Sequence, residues 1–157
     1  MSFPEKVYTG KEVKAARALV EQGYKHNLIV DGQSEFTWKV KEALEYIKTA
    51  GYYDYLQTYI RKIVEIDGMT QLRQAEVAIW ANKFAVDNPI DAASLFIQKA
   101  FSMQEYLDGK LYYGGAAEKR SITKRIEFLE VLKEKIGDKE VKEECERLLS
   151  LWHENSA

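Results

Sequence analysis

Two histidines, His26 and His153, and one cysteine, Cys145, are the soft ligands of this chain. The histidines lie near opposite ends, and neither has a partner one helical turn away. A zinc site built mainly from His and Cys therefore has no support in the spacing. No nucleophile elbow supports a Ser-His-Asp or Cys-His arrangement. Gly114-Gly115 lacks the following Lys-Ser or Lys-Thr of a phosphate-cradling loop. Cys145 sits in Lys142-Glu143-Glu144-Cys145-Glu146, whose acidic neighbours oppose a thiolate, so it reads as a free thiol on or near a helix face. Asp67, Glu76 and Glu118 are of the right type for acid and base work, but spacing marks out no pair. Tyr52-Tyr53-Asp54-Tyr55 and Tyr112-Tyr113 are the aromatic clusters. Over basic residues such rings stack nucleobases. The charge around the first cluster is not basic, and half-buried rings with surface hydroxyls are the expectation.

These residues need a scaffold, and the totals bound it. The chain has 157 residues, enough for one domain, 1–157, and too few for two ordinary ones. Hydrophobic residues are 46% and charged residues 31%, which is a globular composition rather than a disordered one. The formal net charge of -2 argues against a nucleic-acid binder. One cysteine permits no intrachain disulfide. Residues 1–6 carry no apolar h-region, and no apolar run reaches the ~18 residues of a membrane span. The expectation is a cytoplasmic protein without a cofactor.

Hydrophobic spacing predicts the elements. Thr9-Gly10-Lys11-Glu12 has capping-box spacing ahead of a helix over 11–22. Residues 27–30 read as a short strand running into Asp31-Gly32. Helices are predicted over 34–50 and 52–66, the second with Leu56, Tyr59, Ile60 and Ile63 on one side. Between 69 and 86 the signal is mixed: 71–76 favours helix, whereas Val77, Ile79 and Ala81 would share one face of a strand. Asn88-Pro89-Ile90-Asp91 is the clearest helix start, with Asn88 as cap, Pro89 at the first position and Asp91 closing the box. That helix runs to Asp108-Gly109. A tyrosine- and glycine-containing loop follows, then a helix over 116–136 with Ile122, Ile126, Leu129 and Leu132 as its stripe. A last helix runs from 138 to about 152. The predicted class is α+β and helix-dominated with a few short strands; an all-α helical bundle is the alternative.

Read together, several segments resemble a family of small zincin-like metallopeptidases. Ile29-Val30-Asp31-Gly32, Phe36 and the stretch from Lys39 to Ile47 are similar to that family's opening strand, turn and "f-x-x-k-v-x-x-A-L-x-x-I" helix. The stretch from Ala92 to Ser102 is similar to its active-site helix, "a-A-s-x-I-v-H-E-A-x-H". Tyr106, Gly109 and Tyr112-Tyr113-Gly114 resemble its following loop. Ala117-Glu118 resembles the "a-E" that supplies the third metal ligand, and Ile126-Glu127-Phe128-Leu129 the "Q-x-x-f-L" stripe. The likeness covers about residues 27–135. It implies a zincin-like fold and, at Gln98-Lys99-Ala100-Phe101-Ser102, the place of the zinc motif.

At that place the chemistry departs. In H-E-x-x-H both imidazoles face one metal and the glutamate polarises its water. Here Gln98 and Ser102 stand at the two ligand positions and Lys99 at the general-base position. An amide is a poor zinc ligand, a hydroxyl a poorer one, and an ammonium accepts no proton. Only Glu118 remains of ligand type. The resemblance thus implies a pseudo-metallopeptidase with no catalytic or metal residues, in which Lys99 or Gln98 faces Glu118 across two helices. The candidate cleft is Trp80, Gln98, Lys99, Ser102, Tyr106, Tyr112 and Glu118, open to a protein or peptide partner or to a second copy in a homo-oligomer. The alternative is a helical interaction module unrelated to peptidases.

Overall fold

A computed structural model describes residues 2–155 of the chain. The order is α1 (Gly10–Glu21), β1 (Ile29–Asp31), α2 (Ser34–Ala50), α3 (Tyr53–Tyr59), β2 (Lys62–Ile66), β3 (Gln71–Arg73), a 3-10 turn (Gln74–Glu76), β4 (Ala78–Asn82), α4 (Pro89–Leu107), α5 (Gly115–Lys135) and α6 (Lys139–Asn155). The fold is α+β and helix-dominated with a small mixed sheet, so the all-α alternative is overturned.

Strand order is β1-β2-β4-β3, with β1, β2 and β4 parallel and β3 antiparallel to β4. Ile63 lies opposite Ile79 and Val30 opposite Ile63, so these side chains share a face with Ala81 and Leu72 and turn into the core. Lys62, Val64, Ile66, Ala78 and Trp80 alternate onto the other face, outside the core cluster. The core side chains of the helices pack on the first face.

The predicted helix over 52–66 is a correction. Its second half is β2: Ile60 is extended at φ -127° and ψ 125°, and the β-branched run Ile63, Val64 and Ile66 enters the sheet. Residues 71–76 are likewise β3 and a 3-10 turn, not helix. Val77 closes that turn at φ 56°, an unusual conformation for a buried β-branched residue, and its carbonyl accepts the Arg61 N–H at 2.8 Å. The expected face of Val77, Ile79 and Ala81 is fully buried.

Capping follows the sequence. Thr9 and Glu12 form the reciprocal box at α1. The Asn88 carboxamide oxygen accepts the Ile90 and Asp91 N–H groups at 3.0 and 3.1 Å. The Asp91 carboxylate does not close that box; it turns to α5. Central α4 buries Phe96, Ile97, Ala100 and Met103 completely and contacts α2, α3, α5 and α6. Cys145 is on the buried face of α6, where burial first and Glu144 second push its thiol up to about 11, away from reactivity.

The N-terminal residues form a strap across the sheet's β3 end. Val7 is fully buried; its N–H donates to the Ala75 carbonyl at 2.8 Å, and its carbonyl accepts the Tyr106 hydroxyl at 2.7 Å. Arg61 donates to the carbonyls of Pro4, Glu5 and Glu76 at 3.0, 2.6 and 3.0 Å.

Candidate functional site

Along α4, Asp91, Ser94, Gln98 and Glu105 recur at offsets of three, four and seven, so they form one polar stripe on an apolar helix. The stripe faces α5, which answers with Ser121, Arg125 and Arg120. Arg125 is the hub. Its Nε donates to Ser94 Oγ at 2.8 Å, its Nη1 to Gln98 Oε1 at 2.8 Å, and its Nη2 to Asp91 Oδ1 at 2.7 Å. Gln98 Nε2 donates to Ser121 Oγ at 3.1 Å, and Ser121 Oγ in turn donates to the Glu118 carbonyl at 2.8 Å. The Trp152 ring of α6 covers the guanidinium at 4.5 Å. The Arg125 side chain is 7% exposed, and burial lowers its pKa against the opposing pull of Asp91. Two turns beyond Gln98 along α4, buried Glu105 pairs with Arg120 at 2.8 Å. The seam is therefore saturated: each buried donor and acceptor meets another, as burial demands.

The expected cleft residues are only partly brought together. Gln98, Lys99, Ser102 and Tyr106 lie along α4, with Tyr112 edge-on to Tyr106 at 5.2 Å. Ser102 Oγ donates back to the Gln98 carbonyl at 3.4 Å. Trp80 does not join them. It stands on the sheet face opposite α4, under the Arg73 guanidinium at 4.1 Å. Glu118 opens α5 and is exposed. The expected pairing of Lys99 or Gln98 with the Glu118 carboxylate is corrected. The cations that join the two helices are Arg125, on the Asp91 carboxylate, and Arg120, on that of Glu105. Lys99 is half-buried and makes no ion pair within 4.0 Å among the described residues. Burial lowers its pKa, opposed by Glu118 and reinforced by Arg125.

Sequence reasoning missed Arg125, Ser121, Ser94 and Asp91 as one unit. The signal was present: α5's buried positions run Ala117, Ser121, Arg125, Phe128, Leu129 and Leu132, so of the expected stripe Leu129 and Leu132 are buried whereas Ile122 and Ile126 are only half-buried. Two polar residues inside the inward heptad of one helix, facing a polar stripe on another, mark a buried network.

The donor set does not fit zinc. The Gln98 amide is committed at both ends, and a guanidinium stands 2.8 Å from its oxygen, where it would repel a divalent cation. Among the described residues no three His, Cys, Asp or Glu side chains are grouped as metal ligands. No helix there is long and apolar enough to cross a membrane. No family model, curated protein or solved structure matches this chain.

Proposed function

We propose that the chain is a non-catalytic, zincin-like domain, a pseudo-metallopeptidase that acts by binding or scaffolding a protein or peptide. One observation carries the reading. Gln98, at the resembled family's first ligand position, reaches Ser121, one turn beyond Glu118 at the third ligand position. The two helical turns that zinc would join are thus in contact, through an amide, a hydroxyl and a guanidinium in place of a metal. A network satisfied in this way holds geometry and offers no general base. The half-buried stripe Leu95, Lys99, Ser102 and Tyr106 supplies the binding surface. The buried, unreactive Cys145 suits the reducing cytoplasm.

Restoring the ligands tests the reading. Gln98→His, Lys99→Glu and Ser102→His, combined with Arg125→Gln to remove the repelling charge, create a protein expected to bind one zinc beside Glu118, with loss of binding on adding Glu118→Ala. A folded combination variant that takes up no zinc overturns the ancestry. Stoichiometric zinc in the unmodified protein, measured by elemental analysis, overturns the non-catalytic assignment.

A further inference from the structure

The two edges of the sheet are treated differently. The strap runs beside the β3 end, where Lys6 and Tyr8 share a groove with Gln71 and Arg73 and Val7 bonds to Ala75 just past the strand. Among the described residues the β1 edge has no such cover. Ile29 donates its N–H to the Arg61 carbonyl, and in a parallel ladder the bonding direction alternates along the strand. Val30 therefore presents its N–H and C=O outward. Proteins blunt such an edge with proline, a bulge or an inward-pointing charge, or they use it. β1 is short and ends on the charge of Asp31, but residues 28–30 ahead of it are Leu-Ile-Val, without proline or charge. Ile29 is 53% exposed, and Trp38 on neighbouring α2 is 62% exposed. Between strand and helix lies a groove of about 540 Å³, floored by Leu28, Val30 and Leu44 and walled by Lys41, Glu45 and Lys48.

The charge pattern of that wall selects the occupant. Trp38, Lys41, Glu45 and Lys48 are spaced three, four and three, symmetric about position 43. An antiparallel copy of α2 sets Lys41 opposite Glu45 of the second copy, and Trp38 opposite Lys48 of the second copy. Each contact occurs twice, the first an ion pair and the second a cation over an indole. The same two-fold axis, normal to the sheet, makes β1 antiparallel to its copy, so Val30 exchanges both backbone bonds with itself. Glu45 also approaches Lys48 on its own helix at 3.5 Å, and Lys48 lies over the Tyr53 ring at 4.8 Å, but both side chains remain about half or more exposed, at 73% and 49%, and can turn to the second copy.

We infer that the β1 edge and the outer face of α2 form a two-fold homodimer interface, joining two four-stranded sheets into one. The inference is independent of the zincin-like reading. Light scattering and sedimentation across about 1–500 µM test it, a range that spans weak to moderate self-association. The protein is expected to shift from monomer to dimer. Lys41→Glu and Glu45→Lys, made singly, each face like charge with like and raise the dissociation constant about tenfold or more. The two single variants mixed form a heterodimer, because every cross-pair is then of opposite sign, and the double swap recovers self-association. Ile29→Asp, outside the helix, sets a carboxylate opposite Asp31 of the second copy in that register and abolishes the dimer with an unchanged circular dichroism spectrum. A monomer throughout the range overturns the proposal. So does a dimer indifferent to these charges, or a mixture that forms no heterodimer.

Discussion

Arg125 places its guanidinium on three side chains of α4 while 7% exposed, and such a cation is sensitive to losing any of them. Replacing it strands the Asp91 carboxylate, the Gln98 oxygen and the Ser94 hydroxyl. Arg125→Met is expected to cost about 3 kcal/mol, because unmatched buried polar groups are left behind. Asp91→Ala in the same background should add much less than it does alone, and the double-mutant cycle in urea reads that coupling. Glu118→Ala is the contrast: its carboxylate is exposed, and the change should stay within about 0.5 kcal/mol. Equal losses at Arg125 and Glu118 would mean that the tie runs through the carboxylate instead. Lys99 explains why residue type alone misled. A lysine beside a distant glutamate looks like a pair in one dimension, but the guanidinium's planar fork reaches several acceptors at once, and an ammonium does not.

At the scale of elements, the start of α4 does two things. Asn88 caps the helix through its oxygen and holds Glu144 of α6 through its amide nitrogen at 2.6 Å. Asn88→Ala should lose about 1–2 kcal/mol in chemical denaturation. Asn88→Asp is the sharper test: aspartate caps as well as asparagine in isolation, yet here it sets a carboxylate against Glu144, and stability should fall too. The caps and long helices were readable from Thr9, Asn88 and the apolar spacing, since those signals are local. The boundary inside residues 52–66 was not. Leu56, Tyr59, Ile60 and Ile63 satisfy a helical period, and only the pairing of Ile63 with Val30 and Ile79 ends the helix after Tyr59 and makes Ile63 strand. The candidate site was half legible for the same reason. Gln98, Lys99, Ser102 and Tyr106 share one helix and appear by spacing, whereas Arg125 and Asp91 become partners only once two helices meet, and Trp80 is lost to the opposite face of a sheet whose pleat the sequence leaves open.

Over the whole molecule, the strap is tied to the middle of the chain by an aromatic and cationic lock. His26 is 2% exposed, between Phe3 and Tyr24 at ring distances of 4.5 and 5.0 Å, and among the described residues its Nε2 has no hydrogen-bond partner. Burial first and the neighbouring Arg61 second pull its pKa from 6.5 to about 4. The unfolded chain therefore binds this proton more tightly than the native one. The stability that neutral His26 contributes is complete above pH 6.5 and is lost as pH falls toward 4, amounting to about 3 kcal/mol. His26→Leu should flatten that part of the pH profile in denaturant titrations, and unchanged pH dependence would refute the assignment. Because Val7 is held by Ala75 on one side and by Tyr106, 99 residues later, on the other, the strap finds its seat only after the sheet and α4 are in place. A nascent chain that has not yet reached Tyr106 has nothing with which to dock it, so the strap remains open to proteases and chaperones until α4 has been made.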